Sequence, residues 1–333
     1  MPKPGMQSLR RLLVLPLLAV LAACATEQVG PAPRIVADNA DFMIVRAETG
    51  DSLASLTRDF LGNDTHTPLA QQANGGPPLA GQLVVLPKRP YNPAAVDAGG
   101  YQVVPILCYH QFAKRRATNR MQVTAANFEA QMQYLKDNGF RVISMSDLQG
   151  FLAGRQGIPE KAVVLTIDDG YRSVYDIAYP ILQRMGLTAT LYVYSDFAGI
   201  SLSWDQIREM QASGVIDIQS HSRSHTSMSP NGYEKLGPPY RDRVEQEIAV
   251  PHRILTDKLG TDIIHFAYPY GDTSEDAVKL LEQYGYVTAT TVQRGGNAGF
   301  MHPLLLRRDM VFSDHSLKDF KKFLTVYKPV DLK

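Results

Sequence analysis

Cysteine, tryptophan and surplus charge are all scarce in this chain of 333 residues: it has two Cys, one Trp, and 34 Lys and Arg against 33 Asp and Glu. Two cysteines, Cys24 and Cys108, exclude a disulfide framework. A formal net charge of +1 leaves no electrostatic basis for holding nucleic acid or an anionic membrane surface. The apolar run from Leu12 to Ala23 is too short to span a bilayer as a mature helix. What remains is an ordinary globular composition, 44% hydrophobic and 20% charged, long enough for one large domain and a small one.

The start of the chain explains its first cysteine. Lys3, Arg10 and Arg11 precede the apolar run, as the n-region precedes the h-region of a secretory signal. The run ends in Leu21-Ala22-Ala23-Cys24, which resembles the lipobox of bacterial lipoproteins; a plain signal peptide is the alternative. The resemblance implies a signal over 1–23, cleavage before Cys24, and lipid on that residue as the membrane contact. Ala25 at the next position points to the periplasmic face of the outer membrane. Cys108 then reads as a reduced, buried thiol.

Residues 24–40 are small, polar and Pro-containing, which predicts a tether. Over 41–88, a short strand (Phe42 to Arg46), a helix with Leu53, Leu56 and Phe60 on one face, a weaker helix and the strand in "GQLVVLP" follow in β-α-α-β order. With "GDSLASL" and "GQLVVLP" at its ends, this unit resembles a LysM domain, which implies a glycan-binding module; a small structural spacer is the alternative. Residues 89–101 form a Pro/Gly linker.

From 102 to 328 strand-like and helix-like segments alternate. Apolar runs at 103–109, 141–144, 162–167, 188–194, 215–219, 263–268, 287–292 and 305–311 are separated by helical patterns such as 125–138, where Phe128, Met132 and Leu135 share a face. Ser146-x-x-Gln149 and Ser203-x-x-Gln206 offer capping boxes. Such alternation predicts an α/β fold with a parallel sheet, doubly wound or barrel, whose chemistry gathers at the C-terminal strand ends. Those ends are polar: Tyr109-His110, Asp168-Asp169-Gly170, Ser220 to His225, Pro269 to Asp272, and Arg307-Arg308.

Adjacent aspartates after an apolar strand repel unless a cation is near. His221 and His225, four apart, can turn both imidazoles to one side, and two His with one carboxylate are a recurring ligand set for a catalytic divalent metal. Either motif alone is weak; their joint occurrence at matching strand ends is the stronger signal.

"TIDDGYRS", "SHSRSH" and "FAYPYGD", in this order, resemble the motifs of the polysaccharide deacetylases, the NodB-homology domains of carbohydrate esterase family 4, over about residues 102 to 328. The resemblance implies a distorted (β/α)7 barrel and deacetylation of N-acetylglucosamine units in a polysaccharide. It implies Asp168 as catalytic base and Asp169, His221 and His225 as metal ligands, zinc foremost, with cobalt, nickel or iron also able to take this set. Tyr270 would offer its backbone N–H to the oxyanion. Ile167 stands where many members have Phe, the third motif lacks its usual Arg, and no Leu-x-His follows Arg308. "VPILCYHQF" before the first motif instead resembles the permuted subgroup acting on poly-β-1,6-N-acetylglucosamine, which implies His110 as general acid. Trp204, in "SWDQIREMQASG", and Pro269 are expected at the sugar pocket, and Arg308 is expected to orient Asp168. Peptidoglycan is the alternative substrate, and a non-catalytic glycan scaffold or a hydrolase of non-glycan amides are the rival readings.

Overall fold

The computed structural model describes residues 34–330 except 63, 65, 89–91, 93, 156 and 231–238. The signal segment, Cys24 and the start of the tether lie outside the described residues. The chain divides into two compact units, Met1–Tyr91 and Asn92–Lys333. No described helix is long and apolar enough to cross a membrane.

In the smaller unit, β1 (Ile35–Asp38), β2 (Phe42–Arg46) and β3 (Leu83–Pro87) form an antiparallel sheet in that order, with α1 (Leu53–Leu61) and α2 (Thr67–Asn74) between β2 and β3. The expected β-α-α-β order is present, preceded by one strand more. Residues 35–38, assigned to the tether on composition, pair with β2 instead. Ser52 opens α1 with a reciprocal capping box, and Met43, Val45, Leu53, Leu56, Val84 and Leu86 form the core.

The larger unit is an α/β fold around a curled parallel sheet. Outside that sheet lie β4 (Val96–Asp97), β5 (Gly100–Gln102) and the short parallel pair β7 (Gln111–Ala113) and β8 (Gln122–Thr124). Its central strands are β6 (Ile106–Tyr109), β10 (Ala162–Ile167), β11 (Ala189–Val193), β12 (Ile216–Ser220), β13 (His265–Ala267) and β14 (Thr288–Thr290); β15 (Asp309–Met310) flanks β6, and β9 (Arg141–Val142) pairs with β10. Segment 303–311 closes the ring: Leu306 bridges Thr290 on β14, while Asp309 and Met310 pair with Leu107 and Cys108 on β6. This is the distorted seven-stranded barrel expected from the resemblance.

Period-two alternation decides what faces each way. Val163, Leu165 and Ile167 pack outward with Phe128, Met132 and Leu135 of α3 (Ala125–Asp137), whereas Ala162 and Val164 join the second cluster with α4 (Met145–Leu152). The same face as Val164 continues upward as Thr166 and Asp168. Ser203 caps α6 (Trp204–Ala212) with Gln206 as expected, but α4 is capped by Ser144 and Asp147 rather than Ser146 and Gln149. Strand β9 ends at Val142, so the helix begins sooner, and Ser146 Oγ meets buried His265 at 3.2 Å instead. Between β10 and β11, Tyr175 lies in a π-helical turn leading into α5 (Tyr179–Met185), with Tyr179 buried. Among the described residues α7 (Tyr240–Leu259), α8 (Glu275–Gln283) and α9 (Leu317–Lys321) follow, and β16 (Tyr327–Pro329) pairs with β5.

Candidate active site

Strand register brings the polar strand ends together. Ile167 pairs with Tyr109, which sets Asp168 beside His110; Ser220 pairs with Val193 and Phe266, which sets His221 one residue further up. His110, Asp168, Asp169, His221, His225, Tyr268 and Tyr270 line one cleft of about 270 Å³, together with Met121, Val292 and Met310. A smaller cavity of about 100 Å³, at the opposite strand ends, is lined by Leu165, Thr190, Gly214 and Asp217 among others and includes no histidine.

Asp168 is buried and bound by both arms of the Arg308 guanidinium, each at 2.7 Å. Arg308 is wholly buried and also donates to the Thr291 carbonyl at 2.9 Å and to Thr166 Oγ1 at 3.2 Å. Burial opposes ionisation of Asp168, but the guanidinium overrides it, aided by His221, and holds the carboxyl well below the usual carboxylate range. The Cys108 thiol, pushed up by burial, adds a weak donor to Asp168 Oδ2 at 3.5 Å.

Asp169 faces different company. Alternation alone would aim it away from the barrel, but its φ of 75° re-aims the chain into the cleft. Gly170 follows with φ 83°, where a Cβ would stand 2.9 Å from Val193 Cγ1. Asp169 Oδ1 is buried with no hydrogen-bond partner, 3.5 Å from His221 Nε2 and 3.3 Å from His225 Nε2. One ligand atom from each of these three residues lies within 4.8 Å of the others. His221 Nδ1 donates to the Ala267 carbonyl at 2.8 Å, which turns Nε2 toward Asp169, the tautomer control common at metal-ligating imidazoles. Burial opposes a charge on His221, but Asp168 and Asp169 outweigh it and raise its pKa. His225 is lowered by burial and then by His221. A carboxylate oxygen with no donor, facing two imidazole nitrogens, fits a divalent cation.

His110 is nearly buried, and that burial lowers its pKa, partly offset by Asp168 and Asp169. Tyr270 has φ 61° within the short Pro269–Gly271 turn, and its exposed ring meets His225 edge-on at 4.7 Å. Of the described non-glycine residues with positive φ, Asp169, Ser222, His225 and Tyr270 all belong to this site, and Ala95 is the one elsewhere. Such conformations cost roughly 1–3 kcal/mol each and gather where function requires them.

Two residues expected at the sugar pocket lie outside the lining of this cleft. Trp204 does not line the cleft: its indole packs against Gly199, with the Lys258 ammonium 5.8 Å from the ring. Pro269 is buried in its turn and likewise absent from the lining. Sequence reasoning also missed residues. Cys108 was legible, since alternation puts it on the same strand face as His110. Met121, Val292 and Met310 carry no local signal, nor does Glu247, whose carboxylate reaches the loop before His225.

Paired carboxylates, two imidazoles and a buried arginine thus gather at the C-terminal strand ends of a parallel α/β barrel, where such folds place their chemistry. Residues 155–289 match the family described as polysaccharide deacetylase. The chain is 30% identical over 194 residues to YxkH of Bacillus subtilis, covering 58% of this chain and 65% of that protein. It is 26% identical over 259 residues to the poly-beta-1,6-N-acetyl-D-glucosamine N-deacetylase of Escherichia coli K12, covering 66% of this chain and 38% of that one. It therefore spans less than two thirds of the length of either relative. The solved structure of IcaB from Ammonifex degensii superposes with a TM-score of 0.61 at 26% identity, over 68% of this chain and 98% of that one. The deacetylase PplD of Streptococcus pyogenes, at 23% identity and a TM-score of 0.60 over 68% of this chain and 99% of that one, shares the fold.

Proposed function

We propose that this chain removes acetyl groups from N-acetylglucosamine residues of an exopolysaccharide of the poly-β-1,6-linked kind, with a divalent cation held by Asp169, His221 and His225. The observation that carries the reading is Asp169 Oδ1, buried and unpartnered between two imidazole Nε2 atoms, in the cleft that also holds Asp168 and His110. The similarity to the Escherichia coli N-deacetylase supports the substrate class.

Asp169, His221 and His225 would hold the cation, which would supply Lewis-acid polarisation of the acetyl carbonyl and activation of water. Asp168, kept ionised by Arg308, takes the proton from the attacking water. The Tyr270 backbone N–H donates to the oxyanion that forms, a contribution of roughly 3 kcal/mol for one such donor. His110 acts as the general acid in its protonated form, which Asp168 and Asp169 favour against the burial that lowers its pKa, and gives that proton to the leaving nitrogen. Acetate and a free amine result, so a neutral glycan becomes cationic. The resemblance of the smaller unit to LysM supports a glycan tether, and Leu21 to Cys24 supports a lipid anchor at the periplasmic face of the outer membrane.

The test is acetate release from β-1,6-linked, β-1,4-linked and peptidoglycan-derived N-acetylglucosamine chains, comparing wild type, Asp168→Asn and metal-stripped protein. Metal-dependent release that is lost in Asp168→Asn and fastest on the β-1,6 series supports the proposal. Preference for the other chains moves the substrate to peptidoglycan, and glycan binding without release from any chain moves the function to a scaffold. The anchor is tested separately: labelled palmitate should enter the wild type and be lost with Cys24→Ser.

A further inference from the structure

The loop that carries both candidate histidine ligands is strained and needs holding. Ser222 and His225 have φ of 73° and 58°, and neither is glycine. Inside the loop, the His225 N–H donates to Ser222 Oγ at 3.0 Å. On one flank, the N–H groups of Ser195 and Asp196 donate to the carbonyls of Ser222 and Arg223 at 3.1 and 2.9 Å. On the other flank stands Glu247, from the middle of α7 and almost wholly buried. Its Oε2 accepts the N–H of Arg223 at 3.1 Å and of Ser224 at 2.8 Å, and its Oε1 accepts the Ser224 hydroxyl at 2.6 Å. Successive backbone N–H groups converging on one oxygen form an anion-binding nest, and here the anion is supplied by the chain itself.

The two histidines differ in how much they depend on this clamp. His221 directly follows β12 and has its ring set by the Ala267 carbonyl. The His225 ring lies between Tyr194 and Tyr270, at 5.4 and 4.7 Å, so its direction follows the backbone of the loop. We infer that Glu247 is a positioning residue whose hold on the Arg223–Ser224 backbone sets His225 in ligating geometry and so sets the affinity for a divalent cation. This rests on the proposed reading that Asp169, His221 and His225 hold that cation.

The experiment measures Zn2+ affinity of the full-length chain by competition with a chromogenic chelator, and the visible spectrum after loading with Co2+. Glu247→Gln keeps the shape but offers one acceptor oxygen and an amide that repels the N–H nest. It should weaken Zn2+ binding roughly 10–100-fold, the usual cost of losing a group that orients a ligand, and alter the Co2+ spectrum. Ser224→Ala removes the hydroxyl, with its contacts to Glu247 Oε1 and Thr226 Oγ1, but leaves both backbone donors, and should give a smaller loss in the same direction. Melting temperatures of the metal-free variants isolate any purely structural contribution, which would lower them without changing affinity in the folded protein. Affinity in both variants within about twofold of wild type overturns the inference while leaving the metal site standing. Should Glu247→Gln not fold, Ser224→Ala decides alone, and unchanged affinity overturns the inference. A wild type that binds neither metal overturns the underlying reading and this inference with it.

Discussion

Asp168 and Asp169 are neighbours in the chain and both buried, yet their charges are handled in opposite ways. Asp168 is neutralised from within, with both oxygens on the Arg308 guanidinium. Asp169 keeps an oxygen with no hydrogen-bond partner, facing the Nε2 atoms of His221 and His225 at 3.5 and 3.3 Å. One residue of offset and a left-handed φ at Asp169 separate the two environments. A buried charge paired by its own fold is permanent machinery, whereas one left open is balanced by what the protein binds.

The comparison is broken most forcefully at Arg308. Arg308→Met strands Asp168 as an uncompensated buried charge and should cost about 3–5 kcal/mol in urea unfolding, with the double variant Asp168→Asn/Arg308→Met recovering much of it. A loss below about 1 kcal/mol would show that the pair is not the internal neutralisation described. Asp168→Asn alone should reduce acetate release by roughly 10²–10⁴-fold, the range for a lost general base.

His265 supplies a third case, a buried group kept neutral. It sits between Ser146 and Thr288 hydroxyls, and burial pushes its pKa down to about 4. Because the folded pKa lies below the unfolded value of about 6.5, the unfolded chain binds more protons between those limits. Stability from this group is therefore complete above pH 6.5 or so and falls by up to about 3 kcal/mol as pH drops toward 4. His265→Gln should flatten that part of the stability–pH curve; an unchanged slope would assign it to other groups.

Metal removal tests the open half directly. With cation at about 100 times its dissociation constant, binding to the native state adds roughly 2.7 kcal/mol, so a chelator should lower the melting temperature. Asp169→Asn should abolish that sensitivity and Asp168→Asn should retain it. The smallest effect is expected at Cys108→Ala, which deletes one weak donor to Asp168 Oδ2 and should slow acetate release by less than about fivefold, near 1 kcal/mol.

Much of the fold was legible because its signals are local. The buried face of α3, the Ser203–Gln206 cap and the polar residues after each strand follow from periodicity and capping chemistry, and the structure has them where the pattern puts them. The misplaced α4 cap shows the limit: "ISMSD" offers two serines two residues apart, and the end of β9 chose Ser144. Trp204 shows another, since an aromatic near a glycan site reads as a stacking platform until packing turns its ring elsewhere.

By itself the sequence determined an α/β fold with a parallel sheet, doubly wound or barrel, and the histidines and aspartates at its strand ends, because hydrophobic period and the residue after each strand are properties of neighbouring positions. Tertiary structure alone decided that Arg308 neutralises Asp168 across 140 residues, that a left-handed turn delivers Asp169 to the histidines, and that Glu247 braces their loop. Each of those depends on side-chain direction and on distance in space, and neither is written in the spacing of residues along the chain.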